Sequence, residues 1–230
     1  MEKFINYLKS DTNASNQFIK GIMKQNWSNE SYWEEIIPML DFSDSRVEKY
    51  VKDNINDFRI DYLIKYSHCA TTKIIDIIIS HIELLEDNDL ENLVQFQKLT
   101  HKQLEEIIEF SVKSKEQYLS LINLAQEFQQ LTPEFIEKYK SDLNWDLISE
   151  NQFMDLKFLL KYKKNLNWEL VALNQHLQPI FNESFLKLFE DTNIWDGIGF
   201  MEQITSEIIE KYKNKLTEKS YKSISLREIN

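Results

Sequence analysis

A short motif recurs in the C-terminal half of the chain, and its spacing restricts the folds that this half can adopt. Residues 135–140 read FIEKYK and residues 158–163 read FLLKYK, and in both cases a tryptophan stands ten residues after the phenylalanine. The segments around the two tryptophans also match, with NWDLISEN at 144–151 and NWELVALN at 167–174. These two copies define a repeat of 23 residues.

Two further copies follow the first two. In the third copy residues 185–190 precede Trp195, whereas the fourth begins at Ile208 and has no tryptophan at the corresponding position. A period of this length accommodates two short helices and two turns, and one such pair is too small to bury its apolar face alone. The tryptophans are therefore expected to pack between stacked copies. The predicted copies are 132–154, 155–181, 182–204 and 205–230.

A side chain that can cap a helix stands three residues before the first apolar residue of each copy. Such a side chain accepts a hydrogen bond from an unpaired N–H group in the first helical turn. The predicted N-caps are Thr132, Asp155, Asn182 and Thr205, and the same pattern continues backwards at Thr100, Thr71, Ser43 and Ser15. Successive caps are 23 to 32 residues apart. The pattern predicts that the repeat extends along the whole chain.

Glycine and proline are scarce, with three residues of each in 230. Sandwiches, barrels and glycine-rich phosphate loops need these residues at their turns. The sequence therefore predicts an all-α fold, arranged as a solenoid-like array of short helix-turn-helix repeats in a single domain, 1–230. The alternative is an irregular helical bundle in which a few helices are duplicated.

The motif Trp-Asp/Glu-x-Ile/Val-Ser/Ala-x-Asn, placed after a short Phe-x-x-Lys-Tyr helix, resembles the degenerate α-helical tandem repeats of phage and large-virus proteins. The resemblance covers residues 132–203, implies a helical repeat fold and identifies no particular protein. A lysine-to-arginine ratio of 24 to 3 fits AT-rich coding in a bacterium, phage or large virus. Ankyrin repeats have a similar period, but their Thr-Pro-Leu-His signature and turn glycines are absent from this sequence.

Residue patterns that would support catalysis are missing. The four histidines are scattered, and the acidic run 87–91 lacks the glycine and the distal glutamate of a calcium loop. Gly197 and Gly199 have no third glycine or following Lys-Ser/Thr and are interpreted as helix-packing or turn positions. We therefore expect no catalytic, cofactor or metal site. The single cysteine, Cys69, and the absence of an apolar leader at the N-terminus predict a cytoplasmic protein.

Charge is the one functional signal. The chain has 38 acidic and 27 basic residues, a net charge of −11, which disfavours nucleic acids and anionic membranes and favours a basic partner. Nine acidic and only two basic residues lie between Asp76 and Glu109. The predicted partner-binding acidic surface consists of Glu83, Glu86, Asp87, Asp89, Glu91, Glu105, Glu106 and Glu109. The alternative is that these residues only form a solvated face.

The hypothesis from sequence is a non-enzymatic module that presents this acidic surface to a basic protein. One such role is a phage-type inhibitor or modulator of a host nucleic-acid-binding protein, for example a defence nuclease. The alternative is a scaffold or adaptor that binds its partners through apolar repeat surface. Salt distinguishes the two, since contacts between exposed charges weaken at high ionic strength.

Overall fold

The computed structural model describes residues 42–43, 45–53, 55, 60–65 and 71–228. This part of the chain is built from helices joined by turns and contains no strand, which confirms the predicted all-α class. The predicted cap Ser15 and the cysteine Cys69 lie outside the described residues. Among the helices that are described, none combines the length and the apolar character needed to cross a lipid bilayer.

The chain divides into two compact units, at the bond between Leu121 and Ile122. In chain order the helices before this point are α1 (Ser45–Asp53), α2 (Ile60–Lys65), α3 (Thr72–Ile79), α4 (Asp87–Phe96) and α5 (His101–Ser111), and α6 (Lys115–Phe128) contains the division. The second unit continues with α7 (Pro133–Tyr139), α8 (Trp145–Asn151), α9 (Leu156–Lys161), α10 (Trp168–Leu173), α11 (Glu183–Leu188), α12 (Ser206–Lys211) and α13 (Glu218–Glu228). Short 3₁₀ segments occupy Ile82–Leu84, Gln175–Ile180, Asn193–Phe200 and Lys213–Lys215.

Six of the eight predicted N-caps begin helices. In each of them the side-chain oxygen accepts a hydrogen bond from the backbone N–H three residues later, at 2.7 to 3.4 Å. These residues are Thr71, Thr100, Thr132, Asp155, Asn182 and Thr205. Ser43 stands two residues before α1 and so lies one residue further from the helix than predicted. Local sequence therefore sets where most of the helices start.

The first helix of each copy buries the pair of apolar residues that follows its cap. These pairs are Phe135–Ile136 on α7, Phe158–Leu159 on α9 and Phe185–Leu186 on α11. In the fourth copy the equivalent Ile208 and Ile209 on α12 are only half-buried. The degenerate copy of the sequence is thus also the copy with the weakest core.

A ring contact joins each copy to the next. Trp145 lies against Tyr162, and Trp195 lies against Tyr212, with ring centroids 5.1 and 5.3 Å apart. Phe189 takes the place of the tyrosine in the third copy and lies 4.5 Å from Trp168. The tryptophans therefore pack between successive sequence copies, as predicted.

Two buried amide side chains bind backbone groups that lie 21 to 26 residues earlier in the chain. Gln152 donates to the carbonyls of Gln126 and Gln129, at 2.7 and 2.9 Å, and accepts from the N–H of Leu131 at 2.9 Å. Asn174 donates to the carbonyls of Ser149 and Gln152, both at 2.9 Å. These amides donate to carbonyls in the last turn of α6 and α8 or just beyond it, where the regular pattern of helical hydrogen bonds ends.

Both glycines of the segment Trp195–Gly199 sit where no side chain fits. A Cβ on Gly199 would lie 2.1 Å from the backbone carbon of Ser223 in α13, and one on Gly197 would lie 2.5 Å from the Cβ of Ala172 in α10. The interpretation of these glycines as helix-packing positions is confirmed.

Carboxylates form ion-pair clusters between copies. Glu137 binds Lys140, Lys161 and the hydroxyl of Tyr162, at 2.5 to 2.8 Å. Hydrogen bonds from these groups, with that from Lys140 the strongest, lower the pKa of the Glu137 carboxyl from 4.5 to about 2. A carboxylate that accepts several charged donors resists protonation because each donor favours its ionised form.

The other cluster has the same composition. Glu183 binds Lys211, the hydroxyl of Tyr212 and Lys187, at 2.8 to 3.1 Å. Hydrogen bonding, first from Lys211 and then from Tyr212, lowers the pKa of the Glu183 carboxyl to about 2. A Lys-Tyr pair of one copy therefore binds a carboxylate of the preceding copy at two junctions.

Candidate protein-interaction surfaces

An open groove of about 430 Å³ lies in the second unit. Its walls come from the start of α9, from α11 and from the 3₁₀ segment Gln175–Ile180. Most of its lining side chains are aliphatic or aromatic. The lining comprises Phe153, Met154, Asp155, Leu156, Leu177, Ile180, Asn182, Ser184, Phe185 and Leu188.

One wall of the groove results from an irregularity of the repeat. The copy at 155–181 is four residues longer than its neighbours, and the additional length forms the 3₁₀ segment Gln175–Ile180. Leu177 of this segment is fully buried, while Ile180 stays exposed and faces the groove. The insertion thus supplies an apolar wall that a copy of 23 residues lacks.

Large apolar side chains remain exposed along the groove. Phe153 exposes 60% of its surface and Leu156 exposes 47%, and Ile180 and Leu188 are also exposed. Leu160 is exposed one helical turn beyond Leu156, on the same face of α9. The four exposed lining side chains and Leu160, which lies beside them on α9, together expose apolar surface on the order of 400 Å², called the apolar patch below. Patches of that size on a folded chain mark binding sites more often than isolated exposed leucines do.

Two of the three polar side chains that line the groove, Asp155 and Asn182, have intramolecular partners. The Asp155 carboxylate accepts a hydrogen bond from the N–H of Phe158 at 2.7 Å, and the Asn182 side chain accepts one from Phe185 at 3.0 Å. Among the described residues of the lining, Asp155 is the one that is ionisable. The groove is therefore suited to apolar contact and offers little for proton transfer.

A smaller groove of about 230 Å³ adjoins the first. It is lined by Gln130, Leu131, Pro133, Ile136, Phe153, Asp155 and Phe158. Phe153 and Asp155 belong to both linings, so the two grooves meet at the beginning of α9. The most exposed phenylalanine of the second unit's described part lies at their junction.

The predicted acidic surface lies in the first unit, and some of its members stabilise the start of α4. Glu86 is the N-cap of α4, and its N–H donates to the carboxylate of Asp89 at 3.1 Å in a capping box. Asp87 and Asp89 lie in the first turn of α4, where carboxylates interact favourably with the helix dipole. Glu83 precedes them in the 3₁₀ segment Ile82–Leu84. These four residues thus lie in one continuous segment of the chain, and Glu86, Asp87 and Asp89 stabilise the start of α4.

The remaining members are on α4 and α5. Glu91 accepts a hydrogen bond from the Ser120 hydroxyl at 2.5 Å. On α5, Glu105 and Glu106 lie 3.6 Å from His101 and 3.4 Å from Lys102, each one turn along the helix. Glu109 is exposed one turn beyond Glu105, on the side of α5 that faces away from the buried residues.

Five of the eight predicted residues are exposed, and three are half-buried. The exposed ones are Glu83, Glu86, Asp87, Glu106 and Glu109, and the half-buried ones are Asp89, Glu91 and Glu105. The structure brings Glu83 to Glu91 together in one segment and gathers the other three on α5. Hydrogen bonds to Asp89 and Glu91, and the contacts of Glu105 and Glu106 with His101 and Lys102, reduce the negative charge that this surface offers to a partner.

The apolar groove was not predicted from the sequence, although α9 carries a signal for it. Its sequence, LKFLLK, has four apolar residues in six. Only Phe158 and Leu159 are buried, which leaves Leu156 and Leu160 on a second apolar face. A short helix that is apolar on two faces is either fully enclosed or available to a further partner.

Comparison of the chain with protein-family models, with curated proteins and with solved structures found no match.

Proposed function

We propose that the chain is a non-enzymatic protein-binding module and that its main binding site is the apolar groove of the second unit. The observation that carries the proposal is the groove's lining, in which exposed aliphatic and aromatic side chains predominate and the polar side chains of Asp155 and Asn182 already have partners. Such a lining contributes affinity by burying apolar surface. This corresponds to the adaptor hypothesis formed from the sequence.

We further propose that the module is a stacked array of helical repeats, of the kind that the phage and large-virus resemblance implies. The support is the ring contact that recurs between copies, from Trp145 to Tyr162 and from Trp195 to Tyr212. A stacked array holds the helices on both sides of the groove in fixed positions. A cytoplasmic location belongs to the same proposal, since one cysteine cannot form an internal disulfide.

The experiment that tests the binding site is affinity capture from cells that produce the protein, with two matched leucine variants. Leu156→Ser changes a groove residue that is 47% exposed, and Leu226→Ser changes a leucine outside the groove that is 46% exposed. We expect a captured species that persists at high salt, is lost with Leu156→Ser and is retained with Leu226→Ser. Equal capture by both variants would contradict the proposal.

The acidic surface is a second candidate site, for a basic partner such as a nucleic-acid-binding nuclease that the chain would inhibit. Its support is that five of its eight carboxylates are exposed in a region with nine acidic and two basic residues. Opposite charges of this kind accelerate association at low salt. We propose no direct binding of nucleic acid, because the net charge of −11 repels phosphates.

Charge reversal separates the second candidate from the first. In one variant Glu83, Asp87, Glu106 and Glu109 are changed to lysine, and in a control Glu127, Glu150, Glu207 and Glu218 are changed in the same way. All eight residues are exposed, and both sets contain two carboxylates in the first turn of an α-helix or 3₁₀ segment, Glu83 and Asp87 in the first set and Glu207 and Glu218 in the control. A basic partner that is released by salt and lost only with the first variant supports the acidic surface. Unchanged binding to both variants rules it out.

A further inference from the structure

We infer that the groove's occupant is a short amphipathic helix of a partner protein, about two turns long, which docks with an uncharged apolar face. The inference rests on the proposed function and adds the conformation and chemistry of the occupant. Three features of the groove carry it: the dimensions of its walls, its lack of free backbone partners and the size of its apolar patch.

Two short helices of similar length contribute to the walls of the groove. Helices α9 and α11 contain six residues each and are therefore about 9 Å long, which matches somewhat less than two turns of a docked helix. Leu156 and Leu160 lie one turn apart on α9, and Leu188 is exposed on α11. A helix with apolar residues at positions i, i+3 or i+4, and i+7 would contact both walls.

An extended peptide would fit the groove poorly. The walls present side chains of helices whose backbone groups already bond within the helices or to caps, as at Asp155 and Asn182. A strand laid against them would leave its own N–H and C=O groups facing apolar side chains without partners. A helix satisfies these groups internally and presents only side chains.

The size of the patch favours a segment over a second copy of this chain. The patch is on the order of 400 Å², whereas a stable interface between folded proteins buries about 800 Å² on each side. Two copies would also repel each other, since each carries a net charge of −11. Asp155 is the one ionisable group among the described lining residues, so a charged residue placed elsewhere on the docked face would lose its hydration without gaining a partner.

The test is a selection of binders to the full chain from a displayed library of random 14-residue peptides. We expect the enriched peptides to carry uncharged apolar residues at i, i+3 or i+4, and i+7. Their affinity should fall roughly tenfold with Leu156→Ser, because the burial of one leucine is lost, and should stay unchanged with Leu226→Ser. A proline at a central, non-contacting position of a selected peptide should weaken binding roughly a hundredfold by breaking its helix.

The outcomes separate the inference from the proposed function. Peptides that lose affinity with Leu156→Ser but tolerate the central proline would overturn the helical occupant and leave the groove as the binding site. Peptides that bind Leu156→Ser as well as they bind the unmodified chain would overturn both. Basic peptides without apolar periodicity would favour the acidic surface, and a dimer of the chain that Leu156→Ser dissociates would replace the helix with a second copy.

Discussion

The indole ring of Trp168 packs against the ring of Phe189 in the next sequence copy, with the ring centroids 4.5 Å apart. The same contact joins Trp145 to Tyr162 one copy earlier and Trp195 to Tyr212 one copy later. Aromatic contacts between copies thus contribute to the core on which the groove is built. Substitutions in this core, which lies apart from the groove's exposed residues, should change the free energy of unfolding.

Replacing Trp168 with alanine should destabilise the protein by about 3–5 kcal/mol, because a nearly fully buried tryptophan is lost and leaves a cavity. Trp145, which is only half-buried, provides the comparison, and Trp145→Ala should cost less. Urea denaturation followed by circular dichroism measures both values. If Trp168→Ala costs no more than Trp145→Ala, the contact with Phe189 does not stabilise the junction as described.

Adding a methyl group at Gly199 should also be destabilising. Gly199→Ala places a Cβ against the backbone of Ser223, which cannot move aside like a flexible side chain, and we expect a cost of about 3 kcal/mol. Gly197→Ala meets the Cβ of Ala172 instead and should cost less. Melting temperatures of the two variants provide the comparison. Equal melting temperatures for Gly199→Ala and the unmodified protein would show that α13 does not pack on this segment.

The buried amide of Gln152 should contribute more to stability than the exposed amide of Gln175, which follows the matching asparagine in the next copy. Gln152→Leu leaves the N–H of Leu131 and the carbonyls of Gln126 and Gln129 without their partner, at a cost of roughly 1–3 kcal/mol. Gln175→Leu changes an exposed amide and should have almost no effect. Chemical denaturation of both variants checks the difference, and similar stabilities would contradict it.

Stability should fall in acid through Glu137 and Glu183. Their carboxyl groups have a pKa of about 2 in the folded protein, below the ordinary 4.5, so their contribution is fully present above pH 4.5. It is lost progressively as the pH falls from 4.5 towards 2. The double variant Glu137→Gln and Glu183→Gln should therefore show a weaker dependence of unfolding free energy on pH in this window. The same dependence in both proteins would exclude these clusters as its source.

The sequence predicted the local features of the fold and missed the features that depend on packing. Caps such as Thr132 and Asp155 act on backbone N–H groups three residues away, so their effect is visible in a short window of sequence. The tryptophans were placed between copies because they recur at one position of the repeat. Exposure of Leu156 and Leu160 depends on which neighbours cover α9, and no local pattern specifies that.

The acidic residues illustrate the same distinction. The sequence shows where the carboxylates are concentrated. The hydrogen bond from Ser120 to Glu91 joins residues that are 29 positions apart, and no local sequence pattern indicates it. The capping box of Glu86 and Asp89 is local and has the spacing of a helix start. Part of the apparent acidic surface is therefore explained by helix capping.

The most direct test of the groove as the binding site is photo-crosslinking in cells that produce the protein. A benzophenone-bearing phenylalanine analogue replaces Phe153 in one variant and Phe128, an exposed phenylalanine outside both groove linings, in the other. If the groove binds the partner, position 153 forms an adduct with one protein, and the adduct maps to an amphipathic segment of that protein. Adducts of equal yield from position 128, or none from position 153 while the protein still captures its partner, would contradict it.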